Sequence, residues 1–308
     1  MGEKVIINIV YAPQPGPPVK IFENEKGEIW NSKKRDPSKI NIGMGWYSIN
    51  PNPHDRDSIL VVEPYCVLQK DYTPSFLKDF RYIFTWAVKG FKPSVKGKVV
   101  EINHPTYHNI PTVIGNDWLP WDQRANEIVI IANNKSSKHH SELYSLRLQM
   151  ADVLDAASTF KVSWYGQIPI KRSYYRGRIE DKQKVLGKVK FSLCTENSYD
   201  PIYTHNYFTE KMPDVWEAGA VPIYMGCFNI DDFGIFDHSY IDLRTYIEKR
   251  GKGWLIKKKP LLDRIEHYDK NRHAEYLVNL KNVYKSDKIY NAHSYERAYM
   301  KIIDTFAS

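Results

Sequence analysis

Apolar residues in this chain fall in short continuous runs rich in β-branched side chains. Val5-Ile-Ile-Asn-Ile-Val10 is the first, and it is followed by prolines at 13, 15, 17 and 18. Such a run is too short for a helix and is closed by residues that cannot continue a ladder, so it predicts a buried strand feeding a loop. Ser58 to Glu63 repeats the pattern, and Phe76 to Trp86 predicts a short helix followed by a third strand. Strands and helices alternating in this way predict α/β layers on a parallel sheet. Between about His104 and Asn126 the periodicity fades, and Pro105, Pro111, Gly115 and Pro120 mark a connection between domains. A second α/β series opens at Glu127, with apolar Ile128 to Ala132, helical spacing from Leu143 to Ala157, and strands at Lys161 to Tyr165, Val189 to Cys194 and Ala220 to Met225. Tyr295, Ala298, Tyr299, Ile302, Ile303 and Phe306 then recur at helical spacing behind Ser294, a good N-cap. The pattern predicts an N-terminal domain over 1–125, a C-terminal domain over 126–290 and a closing helix over 291–308 that packs on the first domain.

Length supports two domains, because 308 residues exceed the size at which one core stops growing. A cleft between the two is expected. With 42% hydrophobic and 26% charged residues the chain folds and is not disordered. No run approaches the roughly 18 apolar residues of a membrane span, and no secretory signal stands at the N-terminus. A cytoplasmic location is the expectation if Met1 is the true start. Cys66, Cys194 and Cys227 are few, odd in number and widely spaced, which indicates buried thiols and neither a disulfide framework nor a zinc site. The formal net charge of +8 suits an anionic partner, be it nucleic acid, a membrane surface or a phosphate-bearing small molecule. The 22 tyrosines and 8 tryptophans exceed what a core needs and suit stacking on sugars and bases.

The densest chemistry lies in Phe191-Ser-Leu-Cys-Thr-Glu-Asn-Ser198, Tyr207-Phe-Thr-Glu-Lys211 and Glu217-Ala-Gly-Ala-Val-Pro-Ile-Tyr-Met-Gly226. These read as strand, loop, short helix and strand. Ligands of open parallel sheets bind beyond the carboxyl ends of strands, where Glu196, Asn197 and the loop from Tyr207 through Thr209 to Lys211 are expected. A helix N-terminus favours an anion, and Lys211 adds a full charge, so a diphosphate fits there. Glu210 can then accept from ribose hydroxyls, and Tyr207 can stack on a base. In isolation a Glu-Lys pair is more often a solvated loop charge; the length of the whole pattern argues otherwise.

Over more than thirty residues this stretch resembles the donor-binding signature of the alpha-1,3-fucosyltransferase family: a strand ending in Glu-Asn-Ser, then Tyr-x-Thr-Glu-Lys, then an Ala-Val-Pro-x-x-x-Gly strand. Ser239-Tyr-Ile-Asp-Leu-Arg-Thr-Tyr246 and Leu261 to Leu280 resemble the family's closing strand and helix. The resemblance implies two facing Rossmann-like domains (GT-B architecture) with a C-terminal helix crossing back, the first domain for the acceptor and the second for the nucleotide. It implies inverting transfer of L-fucose from GDP-fucose to a glycan hydroxyl. The family's phosphate-facing Arg maps onto Arg147, whose planar fork suits phosphate oxygens; the plainer alternative is a surface Arg paired with Glu142 or Asp152. The family's candidate base, a Glu at a strand end before a proline-bearing loop, maps onto Glu63; an N-cap or salt-bridge role is the alternative there. Arg147 and Lys211 would neutralise the leaving group, so no metal is expected. Two departures stand out: Pro213, which places the helix start near Met212, and a longer loop from Tyr199 to Asn206. The same architecture with a UDP-pentose donor such as UDP-xylose, or a catalytically inactive glycan-binding relative, are the other readings; nucleic acid is not expected as a partner. Asp55-Arg-Asp57, His139-His140 and Lys257-Lys-Lys259 read as solvated loop residues.

Overall fold

The structure is a computed structural model and describes residues 4–10, 17–44, 58–106, 118–234, 238–251, 253–285, 289 and 292–308. Asp55 and Asp57 lie outside the described residues. The chain divides into two compact units: Met1–Ile110 with Asp200–Tyr207 and Tyr290–Ser308, and Pro111–Tyr199 with Phe208–Ile289. The division falls at 110/111 and not at 125/126, because the chain from Trp118 onward is tied to the second unit. Trp118 Nε1 donates to the Glu217 carbonyl at 2.7 Å, and the buried Arg124 guanidinium donates to the carbonyls of Leu119, Val189 and Ala218. The segment Asp200–Tyr207, expected in the second domain, belongs to the first. Its aromatic rings account for this: Tyr203 stacks on Tyr65 at 4.6 Å and Tyr207 on Trp86 at 5.3 Å between ring centroids.

The first unit is a seven-stranded sheet built from β1 (Val5–Val10), β2 (Val19–Glu23), β3 (Gly27–Ser32), β4 (Ile40–Met44), β5 (Ser58–Leu60), β6 (Tyr82–Thr85) and β7 (Val99–Glu101), in the order β2-β3-β1-β4-β5-β6-β7. Only β2 runs antiparallel to its neighbour. Short helices α1 (Pro74–Leu77) and α2 (Pro93–Lys96) each open with proline, whose missing N–H costs nothing in a first turn. Alternation along the strands sorts the core into two layers. Ile7, Ile9, Ile29, Ile42, Leu60 and Phe84 pack against the C-terminal helix α8 (Tyr295–Ala307) through Ala298, Tyr299, Ile302 and Ile303. Those helical positions form one stripe, and each fully buried isoleucine is worth about 1.5–3 kcal/mol. On the opposite face Ile59, Val61 and Ile83 meet Tyr72, Leu77, Phe80, Trp86 and Tyr207. Farther along that same face, β1, β3 and β4 present Asn8, Trp30, Ser32 and Asn41 instead of apolar residues.

In the second unit β8 (Ala125–Ile131), β9 (Lys161–Tyr165), β10 (Tyr175–Gly177), β11 (Val189–Thr195), β12 (Val221–Met225) and β13 (Ile241–Asp242) form a parallel sheet in the order β10-β9-β8-β11-β12-β13. Relabelled from its first strand this is 3-2-1-4-5-6, the order whose switch point, here between β8 and β11, leaves a crevice at the carboxyl ends. The crossovers are α3 (Tyr144–Ala157), α4 (Lys182–Leu186) and α5 (Lys211–Glu217). A hairpin of β14 (Ile247–Arg250) and β15 (Gly253–Ile256) precedes α6 (Lys258–Glu266) and α7 (Lys270–Lys285). The expected single helix from Leu261 to Leu280 is thus broken in two, and Asp269 caps the second piece by accepting from the N–H groups of Asn271 and Arg272. Among the described residues no helix is long and apolar enough to cross a membrane.

Candidate functional site

Glu196 is the first residue beyond β11, beside the switch point, and its N–H is held by the Met225 carbonyl at 2.8 Å. A carboxylate with no accessible surface is expensive unless it is fully bonded. Here Thr209 donates through its backbone N–H at 3.0 Å and through its hydroxyl, and Lys211 donates from Nζ at 2.9 Å. Tyr224 adds its hydroxyl at 3.4 Å. Gly226 makes room for this arrangement, since a Cβ there would stand 2.0 Å from Glu196 Cγ. Glu196 therefore organises the site from within, and the loop carrying Thr209 and Lys211 is fastened to it. Tyr224, whose hydroxyl is pushed well above its ordinary range by burial and by Glu196, and Gly226 were missed as functional positions, although both lie in the quoted strand.

Lys211 opens α5, with Glu210 at the N-cap position, one residue earlier than expected from Pro213. Pro213 sits inside the first turn, where it removes a donor that the helix does not use. The Lys211 side chain is 20% exposed. Burial alone would lower its pKa, yet Glu196 and Glu210 outweigh burial and raise it, so the ammonium stays charged. Glu210 is exposed and lies 3.8 Å from Lys211 Nζ.

Arg147 lies in the first turn of α3 and is 3% exposed. Its Nε donates to Thr195 Oγ1 at 2.9 Å, and Nη2 donates to the carbonyls of Thr195 and Glu196 at 2.7 and 3.0 Å. The guanidinium thus fastens the carboxyl end of β11 to the start of the helix that follows β8. The carboxylates weighed as its partners are engaged elsewhere: Glu142 accepts from Ser145, and Asp152 from Arg172 and Tyr174. Next to this clamp, Leu143 N–H donates to the Asn197 carbonyl, Tyr199 N–H to the Ser141 carbonyl, and the buried hydroxyls of Ser141 and Ser198 meet at 2.7 Å. His139 belongs to the same network through Nδ1, 2.7 Å from Ser141 Oγ, and so is more than a surface residue.

Tyr207 has a different place from the one expected. Only 2% of it is accessible, and its ring packs on Trp86 and edge-on to His104 within the first unit. A base has no open face of this ring to stack on; burial of an aromatic in a core outweighs the exposure that stacking would need. Open aromatic surface in the second unit lies instead at Phe228, 36% exposed and 5.5 Å from Tyr199, just beyond β12. Arg244, after β13, is fixed nearby in sequence by Asp242 and Asp231; burial lowers its pKa, but those hydrogen bonds more than reverse the effect. The Asp-x-Arg spacing at a strand end was the available signal for this cluster.

Glu63 lies in the first unit, three residues past β5 and half-buried. Its carbonyl accepts from the Tyr72 hydroxyl at 3.0 Å, which anchors the turn that carries the carboxylate. Among the described residues no three His, Cys, Asp or Glu side chains converge as metal ligands.

Residues 121–258 match the profile of Glycosyltransferase family 10 (fucosyltransferase) C-term. A putative fucosyltransferase-like protein of Arabidopsis thaliana is 32% identical over 101 residues, which cover 33% of this chain and 18% of that protein. The chain thus spans under a fifth of the length of this relative. Among solved structures, an alpha1,3-fucosyltransferase superposes with a TM-score of 0.53 at 14% identity over 98% of this chain and 88% of the other. An alpha1,3-fucosyltransferase with GDP-fucose gives 0.51 at 14% identity over 93% and 92%, and S. aureus TarM gives 0.51 at 13% over 87% and 55%. At such identities these likenesses speak for the fold, two Rossmann-like domains of the GT-B type. Over residues 121–258, then, the chain is similar to the C-terminal domain of glycosyltransferase family 10, the fucosyltransferase family.

Proposed function

We propose that the protein transfers L-fucose from GDP-fucose to a glycan hydroxyl, with inversion at the sugar carbon. The observation that carries this reading is the network of Glu196, Thr209, Lys211 and Arg147 at the carboxyl end of β11, a fixed pair of cations at the switch point of a doubly wound parallel sheet. In the reaction the acceptor oxygen attacks the anomeric carbon, the bond to the β-phosphate oxygen breaks, and its electron pair leaves with GDP. Lys211 and Arg147 stabilise the growing negative charge on the diphosphate, and Glu210 accepts hydrogen bonds from ribose hydroxyls. Glu63 takes the proton of the attacking hydroxyl. The work of these groups is positioning and electrostatic, and with two cations at the leaving group no metal is required.

Thermal unfolding with nucleotides tests the assignment. GDP at about 100 times its dissociation constant adds roughly 2.7 kcal/mol of stability, and UDP adds none. A shift with UDP and none with GDP overturns the donor and points to a UDP-pentose. Turnover persists in EDTA; activity lost to the chelator and restored by manganese would place the leaving-group charge on a metal.

A further inference from the structure

The chain just beyond β5 is held at two consecutive carbonyls. That of Val62 accepts from His104 Nε2 at 3.3 Å, and that of Glu63 from the Tyr72 hydroxyl at 3.0 Å. Each donor is backed by a tyrosine from the segment Asp200–Tyr207, distant in sequence but part of the same unit. Tyr207 stands edge-on to His104 with ring centroids 5.2 Å apart, and Tyr203 stands edge-on to Tyr72 at 5.4 Å. Tyr203 also stacks on Tyr65, two residues past Glu63. The supports on both sides of Glu63 thus lead back to the loop that the sequence marks as longer than usual for the family it resembles.

This loop fixes Tyr203 through its own turn. Buried Asp200 accepts at Oδ1 from the N–H groups of Ile202 and Tyr203, at 2.8 and 3.1 Å. Buried Thr204 accepts at Oγ1 from the Asp200 N–H at 2.9 Å and donates to the Asp200 carbonyl at 2.8 Å. Side chains bonded to their own turn set its backbone, so the Tyr203 ring rests only where there is room for it. Gly90 provides that room. A Cβ at Gly90 would stand 2.7 Å from two carbons of the Tyr203 ring, against an ordinary 3.5 Å from Tyr72. Burial holds the Tyr72 phenol well above its usual range, and the charges of Asp71, Cys66 and Glu63 push it the same way. The hydroxyl therefore stays protonated and keeps its bond to the Glu63 carbonyl, and the Glu63 carboxylate is within electrostatic reach of it.

We infer that Tyr203 is a positioning residue for the transfer step: from its pinned loop it packs Tyr65 and Tyr72 in place, and through them it aims the Glu63 carboxylate. The inference rests on the reading of Glu63 as the base, and it adds the element that holds that base. A displacement of about 1 Å at a reacting group costs up to about 100-fold in rate, so support of this kind acts on turnover and not on nucleotide binding.

Amide hydrogen exchange tests the support itself. The N–H groups of Val67 and Leu68 both donate to the Pro64 carbonyl and close the turn behind Glu63. Tyr203→Ala raises their exchange about 10-fold and leaves exchange in β3 as it is, whereas Tyr203→Phe, which keeps the ring, matches the parent. Unchanged exchange at Val67 and Leu68 in Tyr203→Ala protein overturns the inference. Initial rates of transfer from GDP-fucose to N-acetyllactosamine, taken below the unfolding midpoint of every variant, test the consequence for turnover. Tyr203→Ala lowers kcat about 10-fold or more at unchanged KM for GDP-fucose and unchanged GDP affinity, and Tyr203→Phe restores kcat. Gly90→Ala lowers kcat when the ring is present and has no further effect in Tyr203→Ala protein. In a Glu63→Gln background Tyr203→Ala has no further effect either, because the group it aims has lost its function. A loss there equal to the loss in the parent shows that the ring acts elsewhere, and overturns the inference while the base reading stands. A Glu63→Gln protein as fast as the parent overturns the base reading, and with it any part of Tyr203 in transfer.

Discussion

Buried charge is concentrated at a few residues, and each is compensated in a different way. Glu196 and Lys211 form a pair in which removing either partner leaves the other desolvated, so a loss of activity at these positions carries a loss of stability with it. Glu217, at the end of α5, is the opposite case. Burial pushes its carboxyl up to about 7, Asp214 pushes the same way, and Lys182 opposes them. Because the folded value lies above the ordinary 4.5, protonation of Glu217 favours the fold. That contribution is fully present below about pH 4.5 and is lost as pH rises through about 7. Asp214, also raised chiefly by burial, adds a slope of the same sign. The unfolding free energy of Glu217→Gln protein, from denaturant titration, should therefore match the parent's at pH 4.5 and exceed it at pH 8, by at most about 3 kcal/mol. A variant no more stable than the parent at pH 8 would show that Glu217 ionises without cost. The sequence marked Glu196, Glu210 and Lys211 as a group by spacing alone. It did not show that Glu196 faces inward, because a Glu-Asn pair at a strand end reads alike whether the first or the second residue meets the ligand.

At the scale of elements, legibility followed the environment of each strand. The runs of β1, β8, β9, β11 and β12 are buried and β-branched, and their continuous apolar pattern predicts strands. Strands β2, β3 and β4 went unread. Val-Lys-Ile-Phe-Glu, Gly-Glu-Ile-Trp-Asn-Ser and Ile-Asn-Ile-Gly-Met are half polar, because β2 is an edge and one face of β3 and β4 holds the loop of residues 33–39 through Ser32 and Asn41. Helix α8 was legible at both levels, by its stripe and by its cap. Ser294 accepts from Arg297 N–H at 3.1 Å, as its place before Tyr295 predicts. Ser294→Ala should cost about 1 kcal/mol, and Ser294→Gly only a few tenths. Equal losses for the two would trace the effect to packing of the buried Ser294 and not to the cap.

At the scale of the whole molecule, the proposed chemistry is divided between units. Arg147, Glu196, Glu210 and Lys211 belong to the second and Glu63 to the first. The sequence marked this division through two α/β series, but it assigned Tyr207 to the nucleotide. Aromatic packing settles that residue: Tyr203 and Tyr207 fill the first unit's core while Thr209, two positions on, bonds Glu196 in the second. A base that acts only in the transfer step should be separable from groups that hold the nucleotide. Glu63→Gln keeps size and hydrogen bonding and removes the basic electron pair. It should leave GDP affinity nearly intact, because no proposed nucleotide contact is lost, while transfer falls roughly 100-fold or more. Lys211→Ala should lower both, since the ammonium meets the diphosphate before and during departure. It also leaves Glu196 buried without its cation, so its unfolding midpoint must be measured beside its kinetics. Calorimetric GDP titration and initial rates on the two variants distinguish base from binder. A folded Glu63→Gln protein that transfers fucose at the parent rate would remove Glu63 from the mechanism. Glu101 would then be the next carboxylate to test, because it ends β7 in the same unit, is exposed, and accepts a long 3.4 Å hydrogen bond from Asn206.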